Sequence, residues 1–267
     1  MAKSTRGGKA GSSSFTTIPT FAAAAQPAPQ PTPQPVPQPV VQPAPQPVIS
    51  ADYDAFKKMT DDQKADAITQ ATRTQVPVFL AQNDLQKVLY GLKLNDKPTL
   101  VDDSVLDTMP GRDLFRTVNA TNDPTHRIKY GADEIGAQII RGSVTRVSDT
   151  GGSVHGRGIY FADSYHGSTT YGRRSGNIKQ TAVVRVKIST TAKTISTHAA
   201  ATGVSAEIAS GSKLGKALSR IGSTDRTAVW SLAKGYDVMV ASNGYHVVVN
   251  RSALVASKSI KAMGNSW

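Results

Sequence analysis

Residues 156–171 read GRGIYFADSYHGSTTY, and the interpretation of these sixteen positions decides the fold. Gly156 and Gly158 bracket Arg157 ahead of the apolar, aromatic run Ile159-Tyr160-Phe161. Glycine there lets the backbone come close to a neighbour and then continue as a strand. Ser164, Ser168, Thr169 and Thr170 follow, and Tyr171 closes the stretch. Two phenol rings, Tyr160 and Tyr171, with hydroxyls between them form a slot for a planar polar ring. The plainer reading of the same residues is a strand, a tight turn and a helix start.

The stretch resembles the nicotinamide-binding segment of the ADP-ribosyltransferase superfamily, most closely its poly(ADP-ribose) polymerase branch, where a G-x-G-I-Y-F-A-D run leads to a Ser and then a Tyr. The resemblance implies an α+β fold whose split β-sheet core carries flanking helices, and it implies NAD as cofactor. Tyr160 and Tyr171 would sandwich the nicotinamide ring, Ser168 would hydrogen-bond its carboxamide, and Gly158 would line the same pocket.

Working outward, Asp113-Leu-Phe-Arg-Thr-Val118 reads as a short buried strand with one cation set into it. A guanidinium in an apolar strand is costly unless it has a partner or faces a cleft. Pairing with Asp113 or Asp123 is the bland account of Arg116. In the superfamily the first core strand carries an Arg or a His that orients the dinucleotide, and L-F-R-T-V resembles the Arg version. That implies a cofactor-binding pair, Arg116 and Thr117.

On the other side, Tyr236–Ala241 and Tyr245–Asn250 read as strands joined by Ser242-Asn243-Gly244, and Asn-Gly is a strong hairpin signal. This hairpin also resembles the closing strands of the superfamily. There the last strand begins with a glutamate that bonds the nicotinamide ribose and stabilises the positive charge developing as nicotinamide departs. Aligned on the valines and Asn250, that place falls on Tyr245, or on Gly244 if the register slips by one. The chain has only two glutamates, Glu134 and Glu207, and neither matches the motif. A tyrosine hydroxyl can bond ribose but carries no charge at neutral pH. The implied catalytic pair is therefore Arg116 and Tyr245, with transfer of a single ADP-ribose or an inactive fold both open.

The rest of the chain frames this core. Residues 1–50 read as a disordered, basic, Ala- and Pro-rich tail. Within it, Gln26 to Val48 holds ten prolines and no charge, which excludes helix and central strand and leaves an extended spacer of roughly 70 Å. Residues 51–110 read as a helical lobe. Thr60-Asp61-Asp62-Gln63 is a capping box opening a helix to about Arg73, and a second helix is expected after Pro77, with Gly91 as its stop. Residues 111–267 form the ADP-ribosyltransferase-like core. In it, Lys129–Arg141 reads as an amphipathic helix, Gly172–Gly176 as a loop and Thr181–Ile188 as a half-exposed strand. Residues 204–234 read as mainly helical, with Asp225 as a cap.

The formal charge is +12, concentrated in the C-terminal third. Those lysines are scattered and lack the interleaved aromatics of a single-strand binder. There is no cysteine and no apolar run of membrane-spanning length. Nor does the N-terminus resemble a secretory signal. Membrane partners are not expected, and no metal site is legible. G-R-G lacks the third glycine and the following acid of a dinucleotide-binding dehydrogenase. Two functions from different classes stand: a mono-ADP-ribosyltransferase acting on a protein or nucleic-acid acceptor, and an inactive transferase fold tethered by its tail to a larger assembly. Similar domains occur in bacteriophage particle proteins, so a capsid or portal assembly is the implied partner, and virion or host cytoplasm the implied location. An RNA 2′-phosphotransferase would suit the charge but needs several Arg and His residues in one cleft.

Overall fold

The computed structural model describes residues 53–94, 97–119, 121–123, 128–142, 147, 153–174 and 181–262. They belong to a unit spanning Pro47–Trp267; the expected tail and proline spacer lie outside the described residues.

Three helices come first, α1 (Tyr53–Lys58), α2 (Asp61–Ala71) and α3 (Asp84–Gly91). The capping box of α2 is complete: the Gln63 amide donates to Thr60 Oγ1 (3.3 Å), and the Thr60 amide donates to Gln63 Oε1 (2.9 Å). Thr60→Ala is therefore expected to cost about 1 kcal/mol in a denaturant melt. The α3 helix starts later than Pro77 suggests, because Asn83 supplies its N-cap, accepting from the Gln86 amide at 2.8 Å. Next come β1 (Thr99–Val101), α4 (Asp103–Thr108), β2 (Leu114–Asn119), β3 (Thr121–Asp123), β4 (Ile128–Tyr130) and α5 (Ala132–Arg141). Beyond them lie β5 (Ile159–Ala162), α6 (Tyr165–Arg174), β6 (Thr181–Ile188), β7 (Thr194–Ser196) and α7 (Thr197–Ala209). The described chain closes with α8 (Lys213–Ser219), α9 (Ser223–Ala233), β8 (Val238–Val240), β9 (Tyr245–Val248) and β10 (Leu254–Ala262).

Eight of these strands form one mixed sheet in the order β1-β10-β6-β2-β5-β9-β8-β7, as an α+β chain requires, while β3 and β4 pair separately. Only β1 with β10 and β7 with β8 run parallel. One face buries Leu114, Val118, Phe161, Val184 and Val248 with α5 residues Ile139 and Ile140. The other buries Val247 and Met239 with Phe56, Ile68, Leu85, Leu214 and Trp230 from five helices. Adjacent residues Val247 and Val248 fall on opposite faces, as strand alternation demands. The helices at 53–94, expected as a preceding lobe, thus share one core with 197–249. Among the described residues no helix is long and apolar enough to cross a membrane.

Three local expectations need correction. The β6 strand is buried on both faces. Its polar side, Arg185 and Lys187, is covered by the last turn of α4 and the segment after it: Arg185 bonds Asp107 and Asp113 (2.6 Å to Asp113), and Lys187 Nζ donates to Met109 O at 2.7 Å. Alternation marks a two-faced strand, but it cannot tell water from a lid of matching charge. Asp225 lies inside the first turn of α9 rather than capping it, with Gly222 as N-cap. Gly172–Arg174, read as loop, complete α6, and 175–180 lie outside the described residues.

Candidate functional site

The site is a gap in the sheet. Along its whole length β2 pairs with β6, but with β5 it shares only Phe115↔Ala162. Beyond that pair the strands part, and the backbone groups they would have exchanged are taken by side chains. Arg116 Nη1 donates to Tyr160 O at 2.8 Å. Ser168 Oγ, on α6, accepts from the Thr117 amide at 2.6 Å and lies 2.8 Å from Thr117 Oγ1.

Arg116 is the unusual group here. Its Nε is buried and has no hydrogen-bond partner. Asp113, a carboxylate expected to pair with it, is committed to Arg185 and to Lys187 at 3.7 Å; the side chain of Asp123 lies outside the described residues. Burial lowers the Arg116 pKa to about 10, which still leaves the guanidinium charged at neutral pH. A half-buried guanidinium bonded, among the described residues, to one neutral carbonyl suits an incoming anion.

Ser168 is 4% exposed, and α6 is pinned over β2 by an edge-to-face contact of Phe115 with Tyr165 at 5.8 Å. A hydroxyl has two acceptor sites and one proton. The Thr117 amide fills one acceptor site of Ser168 Oγ, and in the bond between the two hydroxyls either oxygen can be the donor, so Ser168 has its proton for a carbonyl oxygen when Thr117 Oγ1 donates.

Across β5, Tyr160 registers with Val247 and Ala162 with Tyr245, so Tyr160 and Tyr245 are diagonal neighbours on one face. Their ring centroids are 6.4 Å apart at 57°. The Tyr160 hydroxyl donates to Gly156 O (2.6 Å) and accepts from the His155 amide (3.2 Å), which fixes the ring. A Cβ on Gly158 would lie 2.5 Å from Val247 Cγ1 and 2.9 Å from Val248 O, so Gly158 serves the approach of β5 to β9. Tyr171 falls in α6, and its ring lies outside the described residues, so the second wall of the expected slot is not among the groups brought together here. Arg116, Thr117, Ser168 and the Tyr160 carbonyl border the gap. The Tyr160 ring packs on the other face of the sheet from the side that Arg116, by alternation, shares with Leu114 and Val118, and Tyr245 joins it there from β9.

The hairpin forms as its Asn-Gly signal indicates, with Gly244 at φ +82° and the Ala241 amide donating to Tyr245 O at 2.8 Å. Neither glutamate is near it by its bonds: Glu207 accepts from Ser212 Oγ and pairs with Lys234, and Glu134 is exposed in the first turn of α5. The carboxylate that does reach the hairpin is Asp163, whose oxygens would stand 2.8 and 3.0 Å from a Cβ on Gly244; it pairs with exposed Arg112 at 2.9 Å. Burial pushes the pKa of neighbouring His246 down. Sequence reasoning missed Asp163, since its signal lies in a pairing across β5 and β9. His155, expected to be solvated, accepts from Asn243 Nδ2 at 3.1 Å through Nε2. With Gly156, Thr197, His198 and Thr227 it lines a hollow of about 250 Å³.

Among the described residues no group of three His, Asp or Glu side chains is arranged to hold a metal ion. No family model, no curated protein and no solved structure matches the chain.

Proposed function

We propose that the gap between β2 and β5 binds NAD and that the protein is a mono-ADP-ribosyltransferase of the split-sheet ADP-ribosyltransferase fold, acting on a protein or nucleic-acid acceptor. The observation that carries this reading is the pair of cross-gap bonds, Arg116 to Tyr160 O and Thr117 to Ser168 Oγ. A charged guanidinium, and a buried hydroxyl bonded to the next residue of the parted strand, support this reading. NAD supplies the ADP-ribosyl group and nicotinamide as the leaving group. Arg116, with no carboxylate partner among the described residues, holds the pyrophosphate or its ribose. Ser168 donates to the carboxamide oxygen, and Tyr160 lies against the nicotinamide ring. Tyr245, beside Tyr160, offers its hydroxyl to the ribose. Without a glutamate the chain stabilises developing positive charge weakly, so slow transfer to one acceptor fits better than polymer synthesis.

Calorimetry with NAD, and nicotinamide release from it, test the reading with Arg116→Met. Removing a partly desolvated cation with no carboxylate partner among the described residues offsets the lost bond to Tyr160 O, so the melting temperature should move by only a few degrees, while NAD binding weakens at least roughly tenfold. Wild-type protein that neither binds NAD nor releases nicotinamide would discard the enzyme.

A second reading is favoured by the same bonds. The hydroxyls of Tyr160 and Ser168 are already tied to protein partners, as a fold retained for structure would have them. In that case the domain is a tethered particle protein, for instance of a phage capsid or portal, with the proline tract as its spacer. NAD binding without nicotinamide release would point to it.

A further inference from the structure

Arg157 stands between the two glycines of the Tyr160 segment, and sequence alone assigns it nothing. Its Nε donates to Asp225 Oδ1 at 2.7 Å, with the two side chains only 15% and 5% exposed. Its amide donates to Thr224 O at 3.0 Å. The other oxygen of Asp225, Oδ2, accepts from the Asp84 amide at 2.8 Å, and Asp84 Oδ2 accepts from the Gly222 amide at 2.9 Å. One buried carboxylate thus ties the start of α3 and the start of α9 to the loop that enters β5. The same loop provides both partners of the Tyr160 hydroxyl, Gly156 O and the His155 amide.

We propose that Arg157 is a positioning residue for the nicotinamide half of the dinucleotide: clamped by Asp225, it holds the loop 155–158 against α9 and thereby holds the Tyr160 ring where the nicotinamide must lie. This rests on the NAD reading above. Each glycine has more conformational freedom to lose than any other residue, and this loop contains two, so its ring-locking groups stay in place only if the loop is anchored. The anchor is buried and charge-assisted, hence short and directional. The guanidinium acts on the ring through the loop backbone and touches no part of the dinucleotide.

The test is calorimetry on the full chain with two probes, benzamide for the nicotinamide pocket and ADP-ribose for the remainder of the dinucleotide, with a thermal melt in parallel. Arg157→Met should weaken benzamide binding about tenfold and leave ADP-ribose affinity within about twofold. Asp225→Asn, which keeps the shape and removes the charge, should reproduce the selective loss at about threefold and decides the matter if Arg157→Met does not fold. Unchanged benzamide affinity overturns the positioning role. Parallel loss of both probes also overturns it, since a general structural defect would act on both. Wild-type protein that binds neither probe defeats the NAD reading instead, and the role of Arg157 with it.

Discussion

Gly158→Ala should destabilise the protein by on the order of 3 kcal/mol and shift its melting temperature down by roughly 6–12 °C. The added Cβ would meet Val247 Cγ1 at 2.5 Å and Val248 O at 2.9 Å. The methyl contact can be relieved by a rotamer change, but the carbonyl cannot. It belongs to β9 at the point where Ile159 registers with Val248, so relief means drawing β5 away from β9. That movement would carry Tyr160 from its place beside Tyr245, so on the NAD reading proposed above binding should fall with stability. A melt within a degree of wild type would show that β9 yields without cost and that the close approach is incidental.

Arg251→Met should cost roughly 3–5 kcal/mol in a urea melt. Arg251 is 2% exposed, and its guanidinium reaches the C-terminal end of α5: Nη1 donates to Gln138 O (3.1 Å) and Ile139 O (2.8 Å), and Nη2 to Gly142 O (3.0 Å). The last carbonyls of a helix have no partner within it and gather partial negative charge, so a fork of donors with a positive charge is well matched there. Methionine keeps much of the stem's bulk but removes the donors to Ile139 O, which is buried, and to Gly142 O, while Gln138 O keeps the Gly142 amide. Arg251→Lys should recover only part of the loss, because a single ammonium cannot reproduce the planar fork. Faster hydrogen exchange in α5 than in α2 would localise the effect. Equal exchange in both helices would argue against the capping role.

Several elements were legible because their signals are local. The capping box at Thr60, the Asn-Gly hairpin and the strand around Arg116 each depend on residues within a few positions of one another. Of the candidate site, the residue types of Arg116, Tyr160, Ser168 and Tyr245 were legible, but their bonds were not. Thr117 and Ser168 are 51 positions apart, and Arg157 and Asp225 are 68 apart. Propensity and periodicity carry no information about such pairs, since both are sums over neighbours in the chain. The burial of Arg185 and Lys187 was missed for a related reason. Their alternation with valine fits an exposed face, and the carboxylates that cover them are contributed from more than seventy positions away.

By itself, the amino-acid sequence determined most of the segments that become strand or helix, though not all their ends, because those choices depend on backbone torsions and on bonds closed within one turn. Tertiary structure alone decided that β2 and β5 part after a single pair and that Arg116 and Ser168 take up the backbone groups left over. A buried carbonyl or amide must be satisfied by whatever lies nearest in space, and only the folded chain determines what that is.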